Sequence, residues 1–248
     1  MNAIYILWLR QLIRYFRSKS RVIGSLAQPL LFLVALGFGF GPIYSKAGGG
    51  NYIQFLVPGI VGMSIMFTAV FMGIEMIWDR QFGFLKETMV APVSRFNIML
   101  GRTLGGATVA ALQGVLVLAI SIAIGFRPSN WLFLIPAVLV MLLIALVFTT
   151  LGTAIASLLD DMQGFQLIVN FLIMPMFFLS GALFPLQGLP TAITEITYID
   201  PLSYGVDALR NILIGTSQMS LAINLFAIVA IWLLLTGIGS YLFSKIEV

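Results

Sequence analysis

The side chains that could perform chemistry in this chain are few, and they do not form a catalytic set. The 248 residues include no cysteine and no histidine. This excludes disulfides, thiolate or imidazole metal sites, and mechanisms that need a cysteine nucleophile or a histidine base. The phosphate-binding loop G-x-x-x-x-G-K-[ST] is also missing, since none of the four lysines follows a glycine. The sequence therefore predicts no catalytic residue, no metal site and no cofactor site in this chain.

The acidic side chains could drive an ion-coupled carrier only if some of them lay at the middle of a membrane. The chain is expected to lie in a membrane, because 60% of its residues are hydrophobic and 9% are charged. Soluble domains have roughly 25% charged residues. The six apolar cores given below contain one charged residue, Glu75, near the end of the second. The sequence thus indicates a conduit powered from elsewhere, with a self-sufficient channel or ion-coupled carrier as the alternative.

Six apolar segments are long enough to cross a bilayer as helices, which requires about 20 residues each. They are predicted near 22–42, 53–75, 103–125, 132–157, 164–184 and 221–243. The expected fold class is therefore an all-α membrane protein, with a single transmembrane domain over 1–248.

The basic residues predict the orientation of these spans. Ten of the thirteen fall on one side: Arg10, Arg14, Arg17, Lys19, Arg21, Arg80, Lys86, Arg95, Arg102 and Lys245. The other side has Lys46, Arg127 and Arg210. Because cytoplasmic loops carry the excess of lysine and arginine, both termini are expected in the cytoplasm. The net charge of +4 is accounted for by this asymmetry, and nucleic acid is not an expected partner.

The segment 1–21 is predicted to be an amphipathic helix that lies on the membrane. At 100° per residue, one narrow arc holds Arg10, Arg14, Arg17 and Arg21. The opposite half holds Ile4, Tyr5, Trp8, Leu9, Leu12, Tyr15 and Phe16. The pattern is typical of a helix whose apolar side enters the acyl boundary and whose guanidinium groups meet anionic headgroups. A simple topology anchor and a mechanical role both remain open.

The cytoplasmic segment 80–95, between the second and third spans, mixes charged and apolar residues. Gly83 and Pro92 bracket about two helical turns. The residues expected to form this site are Gly83, Phe84, Leu85, Lys86, Glu87, Met89 and Pro92. Their apolar side chains are expected to be exposed to the cytoplasm. Such a helix either lies on lipid or inserts into a soluble partner, and the mixture of acid and base mildly favours the partner.

The external segment 185–215 is predicted to form a re-entrant or interfacial helical hairpin. Its second helix has Asp200 as N-cap, Pro201 at the first position and Gly215 after its end. This helix is too short and too polar to cross the membrane alone. Asp207 and Arg210 are expected to pair along it, with substrate contact as the alternative. The residues of this site are Pro185, Pro190, Asp200, Pro201, Asp207 and Arg210.

Two segments resemble the signatures of type-2 ABC exporter permeases, the ABC-2 type transmembrane subunits. The first reads GIEMIWDRQFGFLKETMVAPVSRFNIMLGR, and the second reads FLSGALFPLQGLPTAITEITYIDPLSYGVDALRNIL. Both stand at the expected places of a six-span chain. The sequence is most similar to the drug-resistance (daunorubicin-type) and nodulation-type permeases of that family. One departure is Asp200, where the family often has asparagine.

The resemblance implies a coupling helix around 81–92 that sits in a groove of a separate ATPase subunit, and that subunit would bind ATP and Mg. Two copies of this chain, or this chain and a sister, would assemble with two ATPase subunits in the cytoplasmic membrane. The external hairpin would cap the dimer interface. ATP binding would then move the coupling helices and drive alternating access outward. The charge-poor spans indicate an apolar or amphipathic cargo, such as a drug or a lipid-linked molecule.

Overall fold

The computed structural model describes residues 3–46, 50–186 and 190–246, apart from the side chains of 191–193. Within those ranges the regular elements are all helical. They are α1 (Ala3–Arg17), α2 (Lys19–Lys46), α3 (Tyr52–Gln81), α4 (Phe84–Val90), α5 (Arg95–Ile124), α6 (Leu134–Leu158), α7 (Met162–Leu179), α8 (Thr191–Thr197), α9 (Pro201–Ile214) and α10 (Leu221–Ser244). A single 3₁₀ turn, Trp131–Phe133, leads into α6.

Six of these helices are long and apolar enough to cross a membrane, namely α2, α3, α5, α6 with its leading turn, α7 and α10. This confirms the predicted number of spans and the all-α class. Two of the helices extend well past the predicted apolar cores, because a helix continues beyond the hydrocarbon while hydropathy marks only its apolar part. As a result α3 continues to Gln81 and α5 begins at Arg95, which lengthens both at the same end of the bundle.

Local sequence explains where several helices begin. Short polar side chains at the N-cap accept a hydrogen bond from a free backbone N–H of the first turn. The residues that do so are Asn51 for α3, Ser94 for α5, Asp161 for α7, Asp200 for α9 and Ser220 for α10. The predicted cap of α9 is thus confirmed, with Pro201 at its first position and Gly215 in the left-handed conformation after its end.

The core is built around α3, which packs against α2, α5, α6 and α9. Helices α3 and α6 approach each other closely at two glycines. A Cβ atom on Gly73 would lie 2.5 Å from the carbonyl oxygen of Gly152, and one on Gly152 would lie 2.5 Å from that of Val70. Only glycine permits this approach, so the two backbones are in direct contact there.

The ends of the six spans alternate between two ends of the bundle. We call one the basic end, because α1, α4 and the basic residues between α3 and α5 lie there. It also holds the C-terminal end of α10, since Arg95 donates a hydrogen bond to the carbonyl oxygen of Ser244 at 2.6 Å. At the opposite end the Tyr52 hydroxyl donates to the carbonyl oxygen of Leu183 at 3.0 Å, next to α8 and α9.

Candidate functional site

A cluster of ionised side chains lies at the basic end of α3, and we call it the charge cluster. It comprises Glu75 and Asp79 of α3, Arg10 and Arg14 of α1, Arg21 of α2 and Arg102 of α5. Both carboxylates are buried, and their spacing of four residues places them on one face of the helix. Residues far apart in the sequence are therefore joined at one point.

The distances show how tightly the cluster is connected. Arg102 Nη2 lies 2.7 Å from Asp79 Oδ2, and both side chains are buried. Arg10 donates to Asp79 Oδ1 at 3.2 Å. Arg14 Nη1 lies 3.5 Å from the same oxygen and 3.6 Å from Glu75 Oε2, so it bridges the two carboxylates. Removing one partner of a buried ion pair typically costs 3–5 kcal/mol, which applies to Arg102 and Asp79 and holds α5 firmly against α3. The partly exposed Arg10 and Arg14 attach α1 more weakly.

Helix α1 packs lengthwise on α5. Ile4 lies over Gly101, and Gln11 lies over Gly105, where an added Cβ atom would come within 2.7 Å of the Gln11 Cβ. Farther along, the Tyr15 hydroxyl donates to Gln113 Oε1 at 2.6 Å. The contacting residues increase in number in the same direction along α1 and α5, so the two helices are parallel. On α5 the contacts extend from Gly101 to Gln113, which is about 18 Å at 1.5 Å per residue.

These contacts change the interpretation of the predicted interfacial helix. Part of its apolar half, including Ile4 and Tyr15, packs on α5 rather than entering lipid. The helix ends at Arg17, so Arg21 belongs to α2, and there it pairs with Glu75. Of the four arginines expected among lipid headgroups, three bind carboxylates of this chain. Arg17 is exposed and has no acidic partner among the residues that the structure describes.

The predicted short helix between the second and third spans is present as α4. It begins after Gly83, which has a φ of +82°, and it ends before Pro92. Three apolar side chains on and beside it are exposed: Phe82 at 73%, Phe84 at 51% and Val90 at 86%. Lys86 and Glu87 are exposed between them. An exposed apolar surface of this kind is typical of a contact with a partner or with lipid.

Two residues of this segment are not where the sequence predicted them. Leu85 is fully buried in the core, and Met89 is partly buried against it. The expectation that both are exposed in the cytoplasm is therefore wrong. The physical reason is that α4 folds back on the end of α3, so one side of the helix is covered by its own chain. Leu85 fixes α4 in place, while Phe84 stays on the outer side.

A groove of about 350 Å³ runs between α2 and α7, with α3 as its floor. Polar groups line it from three helices: Ser25, Gln28, Ser64, Thr68, Glu75 and Gln166. On α7 the exposed Gln166 belongs to a stripe that also contains Gln163 and Asn170, at the spacing of one helix face. Exposed amides within a spanning helix indicate a face that meets protein or water rather than lipid.

The segment 185–215, predicted to be external, contains α8 and α9, and α9 packs against α3, α6 and α10. An apolar stripe of α9 is buried in the core and consists of Leu202, Val206, Leu209 and Leu213. Pro190 precedes the first residue of α8, and Pro185 lies in the turn after α7. That the segment 185–215 forms a re-entrant or interfacial hairpin stays a prediction.

In the part of the chain that the structure describes, Asp207 and Arg210 do not form a salt bridge. The predicted ion pair is therefore wrong. Arg210 donates to the carbonyl oxygens of Gly181 at 2.7 Å and Ala182 at 3.2 Å. Its guanidinium group also lies 3.8 Å from the ring centre of Phe55. Asp207 accepts from backbone N–H groups beyond α9, at 2.8 and 3.0 Å, and from Asn224. Both residues tie the hairpin to the bundle.

Burial shifts the pKa of two side chains of this segment, Asp200 at the N-cap of α9 and Arg210 on α9. It raises the pKa of the Asp200 carboxyl to about 7, while the Leu202 N–H and the Ser203 hydroxyl that bind the carboxyl lower it by less. It also lowers the pKa of the Arg210 guanidinium to about 10, against the opposing effect of Asp207. Arg210 therefore stays charged at neutral pH, whereas Asp200 titrates near it.

Three members of the charge cluster, Glu75, Asp79 and Arg102, were not predicted as site residues. Asp79 and Arg102 lie outside the apolar cores of their spans in sequence and resemble ordinary loop charges. One signal was available, because Asp79 follows Glu75 by four residues and two carboxylates on one helix face repel unless cations neutralise them. The sequence contains no signal for which arginines do so.

The family model described as ABC-2 type transporter matches residues 2–214. The chain is 34% identical to Nodulation protein J of Rhizobium leguminosarum bv. trifolii over 211 residues, which cover 84% of this chain and 80% of the relative. It is 30% identical to Nodulation protein J of Rhizobium meliloti (strain 1021), with 89% and 85% covered. It is 27% identical to the ycf38 transport permease of Cyanophora paradoxa, with 99% and 89% covered.

The family match covers the charge cluster, the first five spans and α9, and the similarity to the ycf38 permease extends over 99% of this chain. The relatives confirm the resemblance to nodulation-type permeases. The relatives and the six spanning helices together identify a multi-pass transport permease. The chain belongs to the ABC-2 type transporter family.

Proposed function

We propose that this chain is the membrane-spanning subunit of an ATP-binding cassette exporter and that a separate ATPase subunit docks on α4. The observation that carries the proposal is the exposed apolar surface of Phe82, Phe84 and Val90 at the basic end. Leu85 holds α4 against α3 from the other side. A push on this surface would therefore reach the spanning bundle directly rather than bend a loose loop.

The partner would supply the chemistry that this chain lacks. ATP and Mg would bind to the ATPase subunit, because the sequence has no phosphate-binding loop of its own. Two copies of this chain, as a homodimer, would work with two ATPase subunits. The complex would lie in the cytoplasmic membrane with the basic end and both termini inside, as the distribution of lysine and arginine favours.

The groove between α2 and α7 is our candidate for one wall of the substrate path. Its amides and hydroxyls, such as Gln28 and Gln166, lie beside apolar groups, such as Phe67 and Phe71. That combination suits an amphipathic or lipid-linked cargo, which is moved outward by alternating access. The second copy of the chain would close the groove, and the α8–α9 hairpin would cap the assembly at the opposite end.

The test is reconstitution of the purified chain in vesicles, alone and with its ATPase subunit. The chain alone should hydrolyse no ATP, and the pair should hydrolyse ATP in the presence of cargo and move the cargo away from the ATPase side. Uptake driven by an ion gradient without any ATPase would instead support the ion-coupled carrier. The pairing of Glu75 and Asp79 with arginines speaks against that alternative, because a coupling carboxylate must be free to change its charge.

A further inference from the structure

A cleft of about 960 Å³ lies beside the charge cluster, where α1 turns into α2, and we call it the elbow cleft. Its charged lining is unbalanced. Four cationic side chains line it, Arg10, Arg14, Arg17 and Lys19, together with one carboxylate, Asp79. Neither the cargo groove nor the surface of α4 accounts for this excess of positive charge.

The lone carboxylate of the cleft already has cationic partners within this chain. Asp79 is contacted by Arg10, Arg14 and Arg102, and no other acidic residue lines the cleft. Arg17 and Lys19 have no ion-pair partner in the ranges that the structure describes. Both side chains are exposed, and opposite charges attract, so a further negative charge from outside the chain would stabilise this arrangement.

The donors in the cleft suit a phosphate group. Each guanidinium offers five N–H donors in a planar fork that matches phosphate oxygens, and Asp79 uses only one Nη donor of Arg10 and one of Arg14. The hydroxyls of Ser18 and Ser20 line the same cleft. Charge-assisted hydrogen bonds of this kind are roughly twice as strong as neutral ones.

The other walls of the elbow cleft are apolar, and they distinguish a lipid from a free anion. Ile6, Leu9 and Ile13 of α1 form one side, and Phe82 and Phe84 lie across from them. Ile6 and Ile13 are exposed. A small hydrated anion would gain nothing from these side chains, whereas the glycerol and acyl part of a phospholipid would cover them.

We propose that the elbow cleft binds the phosphate of one anionic phospholipid from the leaflet at the basic end. Arg17 and Lys19, the cations without internal partners, would contact the phosphate first. This differs from diffuse attraction of a basic helix to a charged surface, because it predicts one saturable site with a defined set of ligands. Phe82 and Phe84 also belong to the proposed ATPase surface, whereas Arg17 and Lys19 do not, so substitutions of these two cations test the lipid site separately from ATPase docking.

The experiment is native mass spectrometry of the purified full-length chain, titrated with dioleoyl phosphatidylglycerol or dioleoyl phosphatidylcholine. One phosphatidylglycerol per chain should bind saturably, and phosphatidylcholine should not. The double substitution Arg17→Ala and Lys19→Ala should weaken phosphatidylglycerol binding by at least about tenfold, since each cation near a charged lipid contributes about 1 kcal/mol. A matched control, Lys86→Ala with Lys245→Ala, removes the same charge elsewhere at the basic end and should leave binding unchanged.

Three outcomes would overturn the proposal. Equal binding of both lipids, or unchanged phosphatidylglycerol binding in the double variant, would show that the cleft is not the site. Full displacement of the lipid by inorganic phosphate at the same concentration would assign the cleft to a free anion. Loss of ATPase binding in the double variant, with lipid binding intact, would assign its cations to acidic residues of the protein partner instead.

Discussion

The substitution Phe84→Ala tests most sharply whether α4 is a docking surface. The side chain is 51% exposed, which leaves about 100 Å² of a ring that can bury 150–250 Å². At about 25 cal/mol per Å², covering that area on docking contributes up to about 2.5 kcal/mol. A loss of that size weakens binding by up to roughly sixtyfold. Folding should be affected far less than by a substitution of the buried Leu85, because about half of the Phe84 side chain is exposed surface.

The assay is a titration of the purified ATPase subunit against the reconstituted permease, with the thermal midpoint of the permease measured separately. Phe226→Ala is the matched control, since Phe226 is 76% exposed on α10, away from the basic end, and its loss should not change ATPase binding. Leu85→Ala should lower the thermal midpoint of the permease, because Leu85 is buried. Phe84→Ala should mainly weaken ATPase binding. Undiminished ATPase binding by the Phe84→Ala variant would refute the docking argument.

Three further substitutions test the packing and the electrostatics. Asp79→Asn should destabilise the permease by about 3–5 kcal/mol in chemical unfolding, because Arg102 stays buried without its counter-ion, while Glu87→Gln at an exposed site should not. Gly152→Ala should lower the thermal midpoint, because the new Cβ atom would lie 2.5 Å from a backbone oxygen of α3, whereas Gly237→Ala, with open space around it, should not. Asp200→Asn should remove the part of the pH dependence of the thermal midpoint that comes from the Asp200 carboxyl. The wild-type carboxyl has its pKa raised to about 7, so its stabilising effect is complete below about pH 4 and is lost as the pH rises through 7. The variant should therefore have the higher thermal midpoint at pH 8, and equal midpoints there would contradict this account.

Features encoded in one stretch of sequence were predictable. The six spans follow from uninterrupted apolar runs, which leave a chain little alternative to crossing the membrane. The two ends of α9 follow equally from local patterns, with Asp200 as its N-cap and Gly215 after its last residue. The position of α4 between Gly83 and Pro92 follows from backbone restrictions of those two residue types.

Features that depend on distant partners could not be predicted. Leu85 is apolar on a seven-residue helix, and nothing local states which side of that helix meets α3. The pairing of Asp79 with Arg102 is set by how α3 and α5 pack, and the sequence alone offers many cations. Arg210 binds backbone carbonyl oxygens, which every residue possesses and which no pattern of side chains marks.

The most direct test of the central claim, that an ATPase subunit docks at α4, uses the absence of cysteine from the chain. A single Val90→Cys substitution places one thiol at a position that is 86% exposed, and Thr216→Cys places one at an exposed site of the opposite end. Membranes containing both subunits are treated with a membrane-permeant thiol-to-amine cross-linker, and the products are identified by mass. We predict a permease–ATPase product from Val90→Cys and none from Thr216→Cys. A product from Thr216→Cys, with none from Val90→Cys, would contradict the account.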